Sequence, residues 1–262
     1  MNILVCMKQV PDTQKIRINQ EKGTLVRTGV PSITNPFDES ALELAMEIKQ
    51  ELGGTITALS MGIPSSRSVL RDALALGADR AYLLTHKDFA GADTLATSYT
   101  LASAISALGE FELLLFGKQA IDGDTAQVGP EVSAHLGVSI APFVQEVLEV
   151  SPQRIILECM MEGGKKIVES DYPVALTVIK AGQRLRMPTL EGVLDSLQRP
   201  VIKLAPDDIE VNSQRCGLKG SPTRVKKTFT PKAGRKVKYM EGSAEEKAAG
   251  LLKVLKQKGI GV

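Results

Sequence analysis

Two patterns of apolar positions divide the chain near Pro142. Before it, short continuous apolar runs alternate with stretches whose apolar residues recur every three or four positions. That is the pattern of strands buried on both faces with helices packed over them. The runs predict strands at 3–7, 55–60, 80–84 and 113–116, and the helical stretches begin at Pro36 or Phe37 and then cover 65–76, 93–108 and 125–136. In the first helix Ala41, Leu44, Ala45 and Ile48 share a face. Asn35 is its expected N-cap, Pro36 takes the first helical position, Asp38 and Glu39 fall in the first turn, and Gly53-Gly54 ends it. Ser65 and Ser66 are capping candidates for the second helix, Asp93 for the third, and Asp124 or Thr125 for the fourth. A hairpin of 16–19 and 24–27, turning at Glu21-Lys22-Gly23, is expected between the first strand and the first helix.

After Pro142 strands at 143–150, 154–160, 165–170 and 174–179 follow one another without helices and read as antiparallel additions, with Gly163-Gly164 as a tight turn. From Ala181 periodicity weakens, and only 243–258 regains a helical face through Ala248, Leu251, Leu252 and Leu255. The fold class is therefore α/β: a parallel nucleotide-binding sheet covered by helices, with antiparallel strand additions and an extended C-terminal arm. A nucleotide-binding domain over 1–180 and an arm over 181–262 are expected.

In open parallel sheets a ligand sits beyond the carboxyl ends of the strands. Here that rim comprises Cys6-Met7-Lys8, Met61-Gly62-Ile63 and Gly117-Lys118-Gln119, joined by the helix start at Asn35. From Leu115 the chain reads Leu-Phe-Gly-Lys-Gln-Ala-Ile-Asp-Gly-Asp-Thr-Ala-Gln-Val-Gly-Pro, an apolar strand that passes through a Gly-punctuated turn into a helix. First-turn N–H groups from Ala126 onward, at the positive end of a helix dipole, suit an anion. Gly117 and Gly123 allow close backbone approach, while Lys118 and Gln119 offer a charge and an amide. Neither the dinucleotide G-x-G-x-x-G nor a P-loop is present, and the same residues also suit an ordinary, well-capped strand-to-helix loop.

Composition narrows the chemistry. A chain of 262 residues with 43% apolar residues can bury a full core, and no stretch is suited to span a membrane or serve as a signal peptide. Cys6, Cys159 and Cys216 are odd in number and widely spaced, which points to a reducing compartment, cytosolic or matrix-like, and a cytoplasmic location is expected. With His86 and His135 the only histidines, the chain offers no metal cluster and no Ser-His-Asp hydrolase. Net charge is +2, but 198–240 holds eleven Lys or Arg against three Asp or Glu, so the remainder is acidic. Only Phe229 and Tyr239 there stack bases, which ranks nucleic acid last and an acidic protein partner ahead of it.

Gly117-Lys118-Gln119-Ala120-Ile121-Asp122, Asn35-Pro36-Phe37-Asp38-Glu39, Ala73-Leu74-Ala75-Leu76-Gly77-Ala78-Asp79-Arg80 and Glu162-Gly163-Gly164 followed by Pro173-Val174-Ala175-Leu176-Thr177 together resemble the β subunit of electron-transfer flavoproteins. The resemblance runs along essentially the whole chain and implies a C-terminal arm that embraces an α subunit. Val10-Pro11-Asp12-Thr13, the segment Gly123-Asp124-Thr125-Ala126-Gln127-Val128-Gly129-Pro130 and Gly220-Ser221-Pro222-Thr223-Arg224 resemble the electron-bifurcating group. In that group the β-subunit pocket holds an FAD that takes hydride from NADH. The electrons then part between ferredoxin or flavodoxin and, through the α-subunit FAD, a flavoprotein dehydrogenase.

By resemblance the cofactor is held by Cys6, Asn35, Pro36, Phe37, Asp38, Met61, Gly117, Lys118, Gln119, Ala120, Ile121, Asp122, Gly123, Asp124, Thr125, Ala126, Gln127 and Val128. The backbone of Gln127 and Val128 would take phosphate, and Asp122, Asp124 and Thr125 would order the loop. The segment Thr189-Leu190-Glu191-Gly192-Val193-Leu194 matches the family's partner-recognition loop, with Leu190 as the anchor on the dehydrogenase. Two alternatives stand beside this reading: a respiratory-type β subunit with structural AMP, and a universal-stress-like ATP-binding protein.

Overall fold

The computed structural model describes residues 1–12, 17–19, 24–26, 31–179, 186–224, 226 and 239–260. The chain begins with β1 (Asn2–Cys6) and β2 (Gln9–Pro11), followed by β3 (Arg17–Asn19), β4 (Thr24–Val26) and β5 (Ser32–Thr34). Next come α1 (Pro36–Leu52), β6 (Thr55–Met61), α2 (Arg67–Leu76), β7 (Arg80–Leu84), α3 (Thr94–Leu108), β8 (Leu113–Gly117) and α4 (Val128–Leu136). The third stretch holds β9 (Ser139–Val150), β10 (Arg154–Met161), β11 (Gly164–Asp171), β12 (Val174–Val178), α5 (Leu190–Gln198), β13 (Ile202–Leu204), the short α6 (Gly217–Gly220) and α7 (Ala244–Gln257). Residues 1–226 form one compact unit and 227–262 a second. Among the described residues no helix is long and apolar enough to cross a membrane.

One nine-stranded sheet organises the first unit, in the order β11-β10-β9-β12-β8-β1-β6-β7-β13. All pairs from β9 to β13 are parallel, and only β9-β10 and β10-β11 are antiparallel. Alternate residues of a strand point to opposite faces, so each central strand feeds two cores. Ile3, Val5, Leu113 and Leu115 pack beneath α1 and α2, while Leu4, Leu114 and Phe116 pack with Leu101, Ile105 and Val132 of α3 and α4. The covering helices on both faces explain why the central strands read as unbroken apolar runs.

The strand predicted over 174–179 is not an antiparallel addition. β12 inserts between β8 and β9 and runs parallel to both, pairing Val174 with Leu113 and with Ser139. All five of its residues are buried, which the run Val-Ala-Leu-Thr-Val already requires of a strand covered on both faces. The antiparallel addition is β9 to β11, whose outer strand β11 carries Lys165 and Lys166 at the exposed edge.

Several predicted helix ends also differ. Ser65 and Ser66 do not cap the second helix; both hydroxyls donate to Gln9 Oε1, and a short 3-10 turn precedes α2. Asp93 caps α3 as expected, accepting the Ala96 N–H at 3.1 Å. The hairpin of β3 and β4 is present, but its turn at Glu21-Lys22-Gly23 and its ends Ile16 and Arg27 lie outside the described residues. So do Thr13, Ala181, Phe229 and five of the eleven Lys and Arg of the basic stretch.

The central strand sets the stability. Leu115 is fully buried between β1 and β12, so Leu115→Ala is expected to lower the unfolding free energy by about 2–5 kcal/mol in urea denaturation. Ile167→Ala, at a 57% exposed position of β11, is expected to stay within about 1 kcal/mol of wild type.

Candidate functional site

A cavity of about 900 Å³ opens over the carboxyl ends of β1, β6, β7 and β8. Its walls are the strand ends at Cys6 and Met61, the segment 85–94 after β7, and the loop from β8 to α4. Of the residues expected from sequence, Cys6, Asp38, Met61, 117–120 and 123–128 line it. Asn35, Pro36, Phe37, Ile121 and Asp122 do not, and they act behind the wall.

Asn35 has the largest part in this support. It occupies the N-cap position of α1, yet its side chain makes no capping bond. Its Nδ2 instead donates to Asp38 Oδ1 at 2.9 Å and to the Gln119 carbonyl at 2.8 Å, while its Oδ1 accepts the Ile121 N–H at 3.2 Å. The expected cap is thus a brace between α1 and the loop. Pro36 starts the helix at a position whose N–H would have no intrahelical acceptor in any case. Gly117 completes the joint, because a Cβ there would come within 2.7 Å of Phe37 Cβ and 2.8 Å of the Asp38 nitrogen.

The loop is shaped by its own side chains. Gln119 Nε2 donates to Asp124 Oδ1, and Lys8 Nζ forms an ion pair with Asp122 at 2.7 Å. Asp124 and Ala126 adopt φ of 57° and 54°, a left-handed conformation that non-glycine residues take at a cost of about 1 kcal/mol or more. As a result α4 starts three residues later than the sequence suggests: Gln127 is the N-cap, and neither Asp124 nor Thr125 caps the helix. Ala126 in the left-handed region followed by Gln127 in the right-handed region curls successive N–H groups around one concavity, an arrangement that binds anions. The first intrahelical bond runs from Glu131 N–H to the Gln127 carbonyl at 3.0 Å, and Pro130 has no N–H. The N–H groups of Gln127, Val128 and Gly129 are therefore left without intrahelical acceptors.

Asp38 supplies the electrostatic contrast. Burial pushes its carboxyl up to about 7, although Asn35, the Lys8 N–H at 2.7 Å and the Gly117 N–H all donate to it and favour the charged form. The neighbouring Cys6 thiol is pushed far up by burial and by Asp38, so it is no nucleophile.

Sequence reasoning missed the wall formed by 85–94 and Lys203. The signal was available: β7 is parallel to β6, so the segment after Leu84 belongs to the same carboxyl-end rim as Met61. Thr85, His86 and Lys87 fall there for that reason. Leu190 stands apart from the cavity at the start of α5, 76% exposed.

Folded Asp38 holds its proton to about pH 7, whereas the unfolded chain releases it near the ordinary aspartate value of 3.8. The raised value therefore stabilises the fold fully below about pH 4, loses that contribution as pH rises to about 7, and adds nothing further above. Measured against Asp38→Asn by chemical denaturation, wild-type stability is expected to fall by up to about 4 kcal/mol across this window. Parallel pH profiles for the two proteins would refute it.

Comparison with known proteins adds the family. The model for the electron transfer flavoprotein domain matches residues 22–208. The electron transfer flavoprotein subunit beta of Clostridium acetobutylicum is 45% identical over 98% of both chains. That of Thermoanaerobacterium thermosaccharolyticum is 43% identical over 99% of this chain and all of its own. The caffeyl-CoA reductase-Etf complex subunit CarD of Acetobacterium woodii is 41% identical with the same coverage. With its α/β sheet, its carboxyl-end cavity and these relatives, the chain belongs to the β-subunit family of electron transfer flavoproteins.

Proposed function

We propose that this β subunit is of the bifurcating type and holds an FAD in the cavity at the strand ends. Electron transfer in company with an α subunit and a partner dehydrogenase is the work of the family; the nature of the β-subunit cofactor is the finer reading. The observation that carries it is the cavity itself. At about 900 Å³ it stands near the top of the range of roughly 300–1,000 Å³ typical of small-molecule sites, room for a dinucleotide.

The residues fit that cofactor. The N–H groups of Gln127, Val128 and Gly129 would hold the pyrophosphate, with Lys118 as the nearby charge. Gly123 has open space where a Cβ would stand. Asp38, near half-protonation at neutral pH, would present either a donor or an acceptor to the nucleotide. Bound flavin would supply hydride acceptance from NADH and one-electron delivery to ferredoxin or flavodoxin and, by way of the α-subunit FAD, to a flavoprotein dehydrogenase. The name of the Acetobacterium relative, a subunit of a caffeyl-CoA reductase-Etf complex, favours a place in such an assembly.

Leu190 is the proposed contact with the dehydrogenase, on the strength of its exposure beside Met187, which is 85% exposed. Within 181–262, the C-terminal arm that follows the partner-recognition segment is proposed to embrace the α subunit. Its helix α7, capped by Ser243 and Glu246, buries none of its residues within this chain. All three cysteines are free, in keeping with a reducing cytoplasm.

The deciding experiment is a count of flavin and nucleotide in the purified αβ heterodimer. Two FAD per heterodimer are expected; one FAD with one AMP would replace this reading with the respiratory type. Gly129→Ala tests the phosphate-binding turn, since the added Cβ would lie 2.8 Å from Thr177 Cγ2 and 3.3 Å from Phe116 and must displace the start of α4. An FAD affinity about tenfold weaker, equivalent to about 1.4 kcal/mol, is the expected result of titrating the flavin-depleted heterodimer. An unchanged affinity would place the pyrophosphate elsewhere.

A further inference from the structure

Helix α5 displays its leucines instead of burying them. Leu190, Leu194 and Leu197 recur at the spacing that lines one helix face, and they are 76%, 57% and 62% exposed. The face turned toward α2 carries small residues. A Cβ on Gly192 would come within 2.4 Å of the Ala75 carbonyl, and Ser196 is buried, its hydroxyl bonded to the Val193 carbonyl. A nine-residue helix that turns its apolar stripe outward gains little from hydrophobic packing and is too short to persist on propensity alone.

The helix is held by its ends. Thr189 Oγ1 accepts the Gly192 N–H at 3.0 Å and closes the first turn. At the other end Arg71, from α2, donates through Nη1 to both the Ser196 and the Arg199 carbonyls. Its charge thereby sits at the negative end of the α5 dipole. Arg199 extends the clasp, with Nη1 on the Ala78 carbonyl at 3.0 Å and Nε on Asp195 at 2.6 Å. Arg71 is the only one of these groups that reaches the last turn of α5 from another helix.

We infer that Arg71 is a positioning residue for docking: it fixes the last turn of α5 so that the Leu190, Leu194 and Leu197 ridge meets the dehydrogenase already formed. This inference rests on the reading of Leu190 as the docking contact. A ridge that must be ordered on binding loses affinity, while electron transfer within the docked complex is untouched. Removal of Arg71 should therefore appear in KM and not in kcat.

The test uses the αβ heterodimer. Three probes are offered, an acyl-CoA, an enoyl-CoA and a 2-hydroxy acid dehydrogenase, and the one that wild type serves fastest is kept. Arg71→Gln is expected to raise KM for the heterodimer at least fivefold, with kcat within twofold and flavin content unchanged. Amide hydrogen exchange over 190–198 should quicken, and Arg71→Lys, which keeps the charge and the fold if Arg71→Gln does not assemble, should fall between. An unchanged KM in Arg71→Gln despite faster exchange, or unchanged exchange in either variant, would overturn the inference. Leu190→Ala separates it from the underlying reading: an unchanged KM there, or service to none of the three probes, would overturn docking through Leu190 itself.

Discussion

The side-chain amide of Asn35 is the interaction on which the cavity depends. It is buried, and it joins the start of α1 to the loop after β8 through both its nitrogen and its oxygen. Those two segments are more than 80 residues apart in sequence and are brought together by the pairing of β1 with β8. Once they are tied, Gln119 and Asp124 can fix the loop, Ala126 can hold its left-handed turn, and α4 begins at the cavity wall with Gln127, Val128 and Gly129. Strain of this kind persists only where the surroundings over-determine it, and Asn35 together with the Lys8-Asp122 ion pair provides that surplus of restraint.

The same economy appears on the far side of α1 and α2. Both segments are held through backbone carbonyls: the loop by Asn35 on Gln119, and α5 by Arg71 on Ser196 and Arg199. Contacts of this type leave the side chains of the held segment free to face outward, toward the nucleotide proposed in one case and the protein partner proposed in the other. The price in stability is carried by the central sheet, where Leu4, Leu113 and Leu115 are fully enclosed.

Much of this was legible in the chain. The continuous apolar runs located β1, β6, β7 and β8 to within a residue or so at each end, because strands covered on both faces are mostly apolar, with Thr57 and Ser60 of β6 the buried polar exceptions. The cap of α3 was equally plain, since Asp93 stands directly before the helix; one carboxylate oxygen takes Thr223 and leaves the other for the Ala96 N–H. Asn35 and Ser66 failed as caps because tertiary partners, the Ile121 N–H and Gln9, claimed the side-chain oxygens that local rules assign to the helix N-terminus. The start of α4 was misplaced for a related reason: Asp124 and Ala126 are left-handed, a conformation aspartate takes occasionally and alanine rarely. The parallel insertion of β12 is a matter of sheet order, which periodicity does not encode, though five buried residues in a row were a sign of it. The wall after β7 needed only the carboxyl-end rule applied to one more strand.

The central claim is that the turn at Ala126 and Gln127 presents backbone N–H groups to the phosphates of a nucleotide. A crystal structure of the αβ heterodimer with its natural nucleotide bound tests it most directly. The account predicts phosphate oxygens within hydrogen-bond distance, about 2.7–3.2 Å, of the Gln127 and Val128 nitrogens. Phosphates held instead by Lys87 and Lys203 on the opposite wall, with those N–H groups facing water, would contradict it.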